Sequence, residues 1–309
     1  MTTILLTSPI ALEHPVPPGH PERPDRIRAV NDALTDPDFD ALDRREAMAA
    51  DAEAVLLAHP RSYLDKVRAM IPEEGLRQID GDTHVGPRSM EVALTAVGGA
   101  LAAVDAVMGG EAHNAHVAMR PPGHHAERDT AMGFCVFNTV AIAARHARER
   151  HGVERVAIVD FDVHHGNGTQ DIFWDDPNVL FASTHQMPLY PGSGARNERG
   201  EHGQIVNAPL SPGDGRDHFR EAFAARVLPA IHEFRPDLLL VSAGFDAHHR
   251  DPLAEIELTE DDFDWATGKL MDAAEKRCGG RLVSLLEGGY DLVGLAKSEA
   301  AHVRRMMRG

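Results

Sequence analysis

Asp160, Asp162 and His164 alternate within the segment DFDVHHGNG. In extended backbone, residues i and i+2 point to the same side, so Asp162 and His164 can grip one ion together. Asp246, in SAGFDAH, closes a different apolar run and supplies a third donor. Two carboxylates and one imidazole suit zinc with positions left open for water and substrate, unlike a closed four-ligand structural site. Iron(II) accepts the same oxygen and nitrogen donors. A lone D-x-D at a strand end more often caps turn amides. The adjoining HHGNG and the matching Asp246 tip the reading to metal.

A metal-activated water needs a base to take its proton, and a leaving amine needs an acid to return one. Histidine suits both tasks near neutral pH. His124 and His125 stand together after a stiff Pro-Pro-Gly turn, and Asp160 and Asn167 are available to fix their tautomers. Tyr290 follows Gly-Gly, whose freedom lets the backbone swing a phenol over the same place. There it would donate to the oxyanion developing on a polarised carbonyl. Either histidine alone could merely pack a turn, and the tyrosine alone could be a half-buried aromatic with a wet tip. Their company argues for catalysis.

All these residues follow short apolar runs: HVAMR (116–120), VAIVDFD (156–162), LLLVSAGFD (238–246) and LVSLLEGGY (282–290). Nearly continuous hydrophobicity marks strands buried on both faces of a parallel sheet. Ala-rich stretches with helical spacing, such as 90–108 and 139–151, lie between them. The alternation predicts one three-layer α/β/α domain over residues 1–309, mainly parallel, with right-handed crossovers. Open parallel sheets bind ligands outside the carboxyl ends of their strands, which is where four runs deliver their polar residues.

With 309 residues, 43% of them hydrophobic, the chain can build a sizeable core. No apolar run approaches the roughly 20 residues of a membrane span. The opening MTTILLTSPIALEHP lacks a basic n-region and reads as a first strand. Cys135 and Cys278 form no disulfide framework, so a cytoplasmic enzyme is expected. Cys135 reads as a small buried residue, since no electropositive setting activates it. His248 and His249 are expected at the rim, and GEAHNAH (110–116) as a loop. Acidic side chains outnumber basic ones by 48 to 31, a formal charge of −17. That argues against nucleic acid as a partner. It is compatible with a cationic substrate, although acidic surface also serves solubility alone.

The chain resembles the histone deacetylase superfamily. The matching segments run in family order: HPERPDRI (20–27), RPPGHHA (120–126), GFCVFN (133–138), DFDVHHGNGTQ (160–170), STH (183–185), YPGSG (190–194), SAGFDAH (242–248) and LEGGY (286–290). HPERPDRI and Asn167 look like the class II branch and its bacterial relatives, including acetylpolyamine amidohydrolases. The resemblance implies the arginase/deacetylase fold, with an eight-stranded sheet. It also implies zinc on Asp162, His164 and Asp246, an acid/base pair in His124 and His125, and an oxyanion donor in Tyr290. Gly133, Phe134, Tyr190 and Gly288 would line a narrow substrate channel, with Leu253 at its mouth. Potassium would bind at Asp160, Asp162, His164, Ser183 and Thr184.

The expected activity is removal of acetyl or other acyl groups from acylated lysine or related amines, His125 taking the water's proton. Two departures bear on this. Asn167 replaces an Asp of class I members, so His125 should be the better neutral base. Leu253 is apolar where polyamine-selective members carry Glu, which favours an acyl-lysine peptide over an acylated polyamine, unless an acid such as Glu22 serves at the rim. A dinuclear manganese ureohydrolase would want an Asp at position 167. An inactive acyl-lysine-binding protein would typically have lost a ligand or the tyrosine, and none is lost here. An oligomer is compatible with all of these readings.

Overall fold

The computed structural model describes residues 2–308. Its strands are β1 (Thr3–Thr7), β2 (Asp43–Glu46), β3 (Arg77–Gln78), β4 (His84–Val85), β5 (Asn114–Val117), β6 (Val156–Asp160), β7 (Val179–Gln186), β8 (Ile205–Leu210), β9 (Leu238–Ala243) and β10 (Leu282–Leu286). β3 and β4 make a small antiparallel ribbon. The other eight form one sheet in the order β2-β1-β5-β10-β9-β6-β7-β8, every neighbouring pair parallel. The eight-stranded parallel sheet expected from the family resemblance is present.

The central strands explain the apolar runs. Every residue of β5, β6, β7, β9 and β10 is buried, because helices cover both faces. β5 shows the two faces directly. Asn114 and His116 reach the helix Leu292–Arg308, bonding the Met306 carbonyl at 3.0 Å and Glu299 at 2.8 Å. Val117, on the opposite side, lies under Gly99 of the helix Ser89–Met108, where an added Cβ would meet it at 3.2 Å. The edge strand β2 is DRRE, with alternate residues exposed, and its charge discourages pairing with another chain.

The helix Ser89–Met108 corrects one expectation. Among the described residues it is the one helix long and apolar enough to cross a membrane. Here it is a core helix, buried along its Ala and Val positions and packed against the helix Thr139–His151. Glu91 and Asp105 break its apolar run near the two ends, which hides its overall apolarity from a run-length reading.

Helix limits follow local chemistry. Asn138 caps Thr139–His151 by accepting from Ala141 N–H at 3.0 Å, and Gly152 ends it at φ 67°. Thr259 and Asp262 form a reciprocal capping box at the start of Glu260–Cys278.

Candidate active site

β6 and β9 are neighbours in register, Asp160 opposite Ser242, so the loops leaving them emerge side by side. Asp162 and His164 leave β6 and Asp246 leaves β9. His164 Nδ1 lies 3.1 Å from Asp162 Oδ1 and 3.1 Å from Asp246 Oδ2. Donor atoms of all three sit within 4.8 Å of one another, in buried surroundings. A tetrahedral zinc site with bonds of about 2.0–2.2 Å separates its donors by roughly 3.3 Å, so the set fits zinc almost as it stands. Two carboxylates packed this closely repel unless a cation or a proton on His164 joins them.

Backbone amides hold the carboxylates from behind. Gly288 N–H donates to Asp162 Oδ2 at 2.8 Å and Val163 N–H to Asp246 Oδ1 at 2.8 Å. An added Cβ at Gly288 would stand 2.1 Å from Asp246 Oδ2, which is why that position carries no side chain. Gly288, expected in the channel wall, therefore lies beneath the carboxylates.

The histidine pair stands beside this cluster with rings 4.0 Å apart, and its two members have different partners. His124 Nδ1 is 2.9 Å from Asp160 Oδ2, whereas His125 Nδ1 is 2.8 Å from Asn167 Oδ1. Burial opposes charge on His124, but Asp160, Asp162 and Glu287 outweigh it and hold its pKa well above the ordinary value. Burial, and then the positive potential of His124 and His164, pushes His125 well below that value. Both histidines are buried alike, so the carboxylate and the amide divide the roles.

A pocket of about 200 Å³ opens over the cluster, lined by His125, His164 and Tyr290, with Gly133, Phe134, Leu189, Tyr190, Leu253 and Asp82 as its walls. Gly133 (φ 57°) passes so close to His125 that an added Cβ would sit 2.3 Å from the ring. Phe134 and Tyr290 meet edge to face, ring centroids 5.8 Å apart. Burial raises the Tyr290 pKa well above the ordinary phenol value, and the neighbouring Asp246 and Asp162 add to the effect against the pull of Arg26. The hydroxyl therefore keeps its proton.

Known proteins share this architecture. The histone deacetylase domain family profile matches residues 20–306. The chain belongs to the histone deacetylase family. A histone deacetylase-like amidohydrolase of Pseudomonas aeruginosa is 44% identical over 293 residues, spanning 92% of this chain and 77% of that protein. A probable deacetylase of Archaeoglobus fulgidus is 40% identical, spanning 92% and 80%. The crystal structure of the HDA15 HD domain superposes with a TM-score of 0.93 at 34% identity, covering 99% of this chain and 88% of that one. The reaction class of this histone deacetylase-family amidohydrolase is thus amide hydrolysis.

Other residues around the deacetylase-family site went unread in the sequence. Glu287 is buried behind the histidines, its Oε2 accepting from Gly123 N–H at 2.6 Å and His124 N–H at 3.1 Å. It sits within LEGGY, so its position was visible while its use was not. Asp251 accepts from Tyr290 N–H at 2.7 Å, and Arg26 donates to the Gly289 carbonyl at 2.6 Å. Glu22, suggested as a rim acid, is fully buried and ion-paired with Arg120 and Arg26. The acid in the pocket wall is Asp82. His248 is likewise buried, its Nε2 3.4 Å from Glu260 Oε2, while His249 is exposed beside it. Of the residues associated with potassium, Asp160 and Ser183 pair in register across β6 and β7. Ser183 Oγ bonds His185 Nδ1 at 2.8 Å, and Thr184 Oγ1 is buried with no hydrogen-bond partner among the described residues.

Asn167 also donates through Nδ2 to Glu127 Oε1 at 2.7 Å, which fixes the amide so that its oxygen faces His125. Asn167→Asp turns that oxygen into a carboxylate and favours the imidazolium. The acid limb of the kcat/KM profile, which reports the free enzyme's base, should move to higher pH. An unmoved limb would show that position 167 does not set the basicity of His125.

Proposed function

We propose that the protein is a zinc-dependent deacylase that cleaves acetyl or related acyl groups from lysine side chains presented on peptides. The carrying observation is that the three-donor cluster, the unequal histidine pair and Tyr290 meet at the base of one pocket. When bound, zinc at Asp162, His164 and Asp246 supplies Lewis-acid polarisation of the amide carbonyl and lowers the pKa of a water beside it.

The chain's own groups do the rest. His125, neutral and tied through Nδ1 to Asn167, takes the attacking water's proton at Nε2. Tyr290 donates its hydroxyl hydrogen bond to the carbonyl oxygen as that atom gains charge. His124, held cationic by Asp160, adds positive potential there, and a protonated histidine of the pair returns a proton to the departing amine. Phe134, Tyr190 and Leu189 suit the apolar stem of an acyl-lysine, and Leu253 puts no charge at the mouth. Asp82 in the same wall favours a second reading, an acetylpolyamine or other small acylated amine whose stem carries a cation. We also propose potassium at Asp160, Asp162, His164, Ser183 and Thr184, and a cytoplasmic location, which two buried free thiols support.

The test is turnover of acetyl-lysine peptides, longer acyl-lysines and acetylpolyamines in parallel, before and after chelation. A chelator should abolish hydrolysis and zinc should restore it, while Asp246→Asn should lose both activity and one equivalent of zinc. Hydrolysis that survives chelation and Asp246→Asn would sink the metal reading. Zinc binding with no turnover of any acyl amine would leave a binding protein instead.

A further inference from the structure

A second group of metal-ligating side chains lies at the opposite edge of the sheet. The helix Thr139–His151 starts beside the pocket segment and runs back to where β6 begins, and the helix Ser89–Met108 likewise ends before β5. At these ends His146 and His151 converge on Asp105. His146 Nε2 is 2.7 Å and His151 Nε2 2.6 Å from the same oxygen, Asp105 Oδ1. The imidazole rings stand 5.9 Å apart at 73°, and the three donor atoms lie within 4.8 Å of one another. Each ring is mostly covered while Asp105 is half exposed, at 17%, 22% and 51% of the side chain, so the donors are held yet reachable from solvent.

We propose that Asp105, His146 and His151 form a second, solvent-facing site for a divalent transition metal such as zinc, with water filling the remaining positions. Two imidazoles that aim their Nε2 atoms at one carboxylate oxygen can aim the same lone pairs at one ion once that ion replaces the protons. Zinc needs the donors roughly 3.3 Å apart, so Asp105 has to withdraw by less than about 1 Å. A half-exposed side chain has room to do so. Two imidazoles and one carboxylate are a donor set that zinc accepts readily. The setting favours a cation as well. His151 is the last residue of its helix and Asp105 lies three residues before the end of the other, so both helix dipoles place partial negative charge there.

A helix of 13 residues is about 20 Å long, so this ion would take no direct part in amide hydrolysis. The spacing of His146 and His151 is i, i+5, which does not stack two side chains on one helical face as i, i+4 does. The site exists only because Asp105 arrives from another helix.

Equilibrium dialysis of the intact protein against buffered micromolar free zinc, followed by elemental analysis, tests the proposal. Wild type should hold two zinc ions per chain. The double variant His146→Gln/His151→Gln, and separately Asp105→Asn, should hold one and hydrolyse the acetyl-lysine reporter at the wild-type rate. Glutamine still reaches Asp105 with a hydrogen bond, and equal melting temperatures without metal would confirm intact folding. Asp246→Asn should keep the outer ion and lose the inner one, which separates failure of this site from failure of the catalytic reading. Equal zinc uptake by wild type and the double variant overturns the proposal, as does an outer ion that binds only at millimolar zinc.

Discussion

Tyr290→Phe lowers kcat/KM for an acetyl-lysine reporter by about 100- to 1,000-fold, the usual effect of removing one oxyanion donor, and leaves zinc content unchanged. The substitution removes one oxygen and little else. The backbone of this residue is held by Asp251, which accepts from its N–H, and by Arg26, which grips the preceding carbonyl. The Arg26 guanidinium also lies over the ring, 5.0 Å from its centroid, a contact that phenylalanine retains. The ring therefore stays and only the donor goes. On the proposed mechanism the oxygen it serves gains charge in the transition state, so the loss should fall on kcat with KM little changed. A variant at full activity would remove Tyr290 from the mechanism.

Glu22→Gln destabilises the fold by about 3–5 kcal/mol, the cost of breaking a buried ion pair by removing one partner. Arg120 binds the Glu22 carboxylate in fork fashion, Nε to Oε1 at 2.7 Å and Nη2 to Oε2 at 2.6 Å, and Arg26 Nη1 reaches Oε1 at 3.2 Å. All three side chains are fully buried. Neutralising the carboxylate leaves two guanidinium groups out of water without the charge they pair with. Denaturant unfolding of the two proteins would measure the difference, and a loss below 1 kcal/mol would refute the assignment. Burial resists the charge on Glu22, yet Arg120 and Arg26 bring its pKa down to about 2, from an ordinary 4.5. A lowered folded value stabilises above the unfolded pKa. This contribution is therefore complete above about pH 4.5 and is lost as the pH falls towards 2, and the Gln variant should lack that part of the acid transition.

The same arginine links the two predictions. Arg26 pairs with Glu22 and also binds the carbonyls of Glu287 at 2.5 Å and Gly289 at 2.6 Å. Part of the stability loss in Glu22→Gln should therefore appear as looser placement of Tyr290 and reduced activity in the folded fraction.

Local sequence determined the elements and the donors of the site. Apolar runs with no alternation had to be strands covered on both sides, and the stretch 139–151 gave a helix between the limits its cap and Gly152 impose. Because parallel strands end on one edge, polar residues following four such runs had to gather there, which made Asp162, His164, Asp246, His124, His125 and Tyr290 readable as a group. Tertiary structure alone decided what depends on distant partners. A glutamate reads the same whether it faces water or an arginine, and Glu22 became a structural ion pair only through Arg120, 98 residues away. Glu287, Asp251 and Asp82 acquired their roles in the same way. So did the cluster of Asp105, His146 and His151, whose three donors meet because two helices end at one place. Periodicity reports which face of an element is buried; it carries no information about which charge lies across the gap, and that is set by packing.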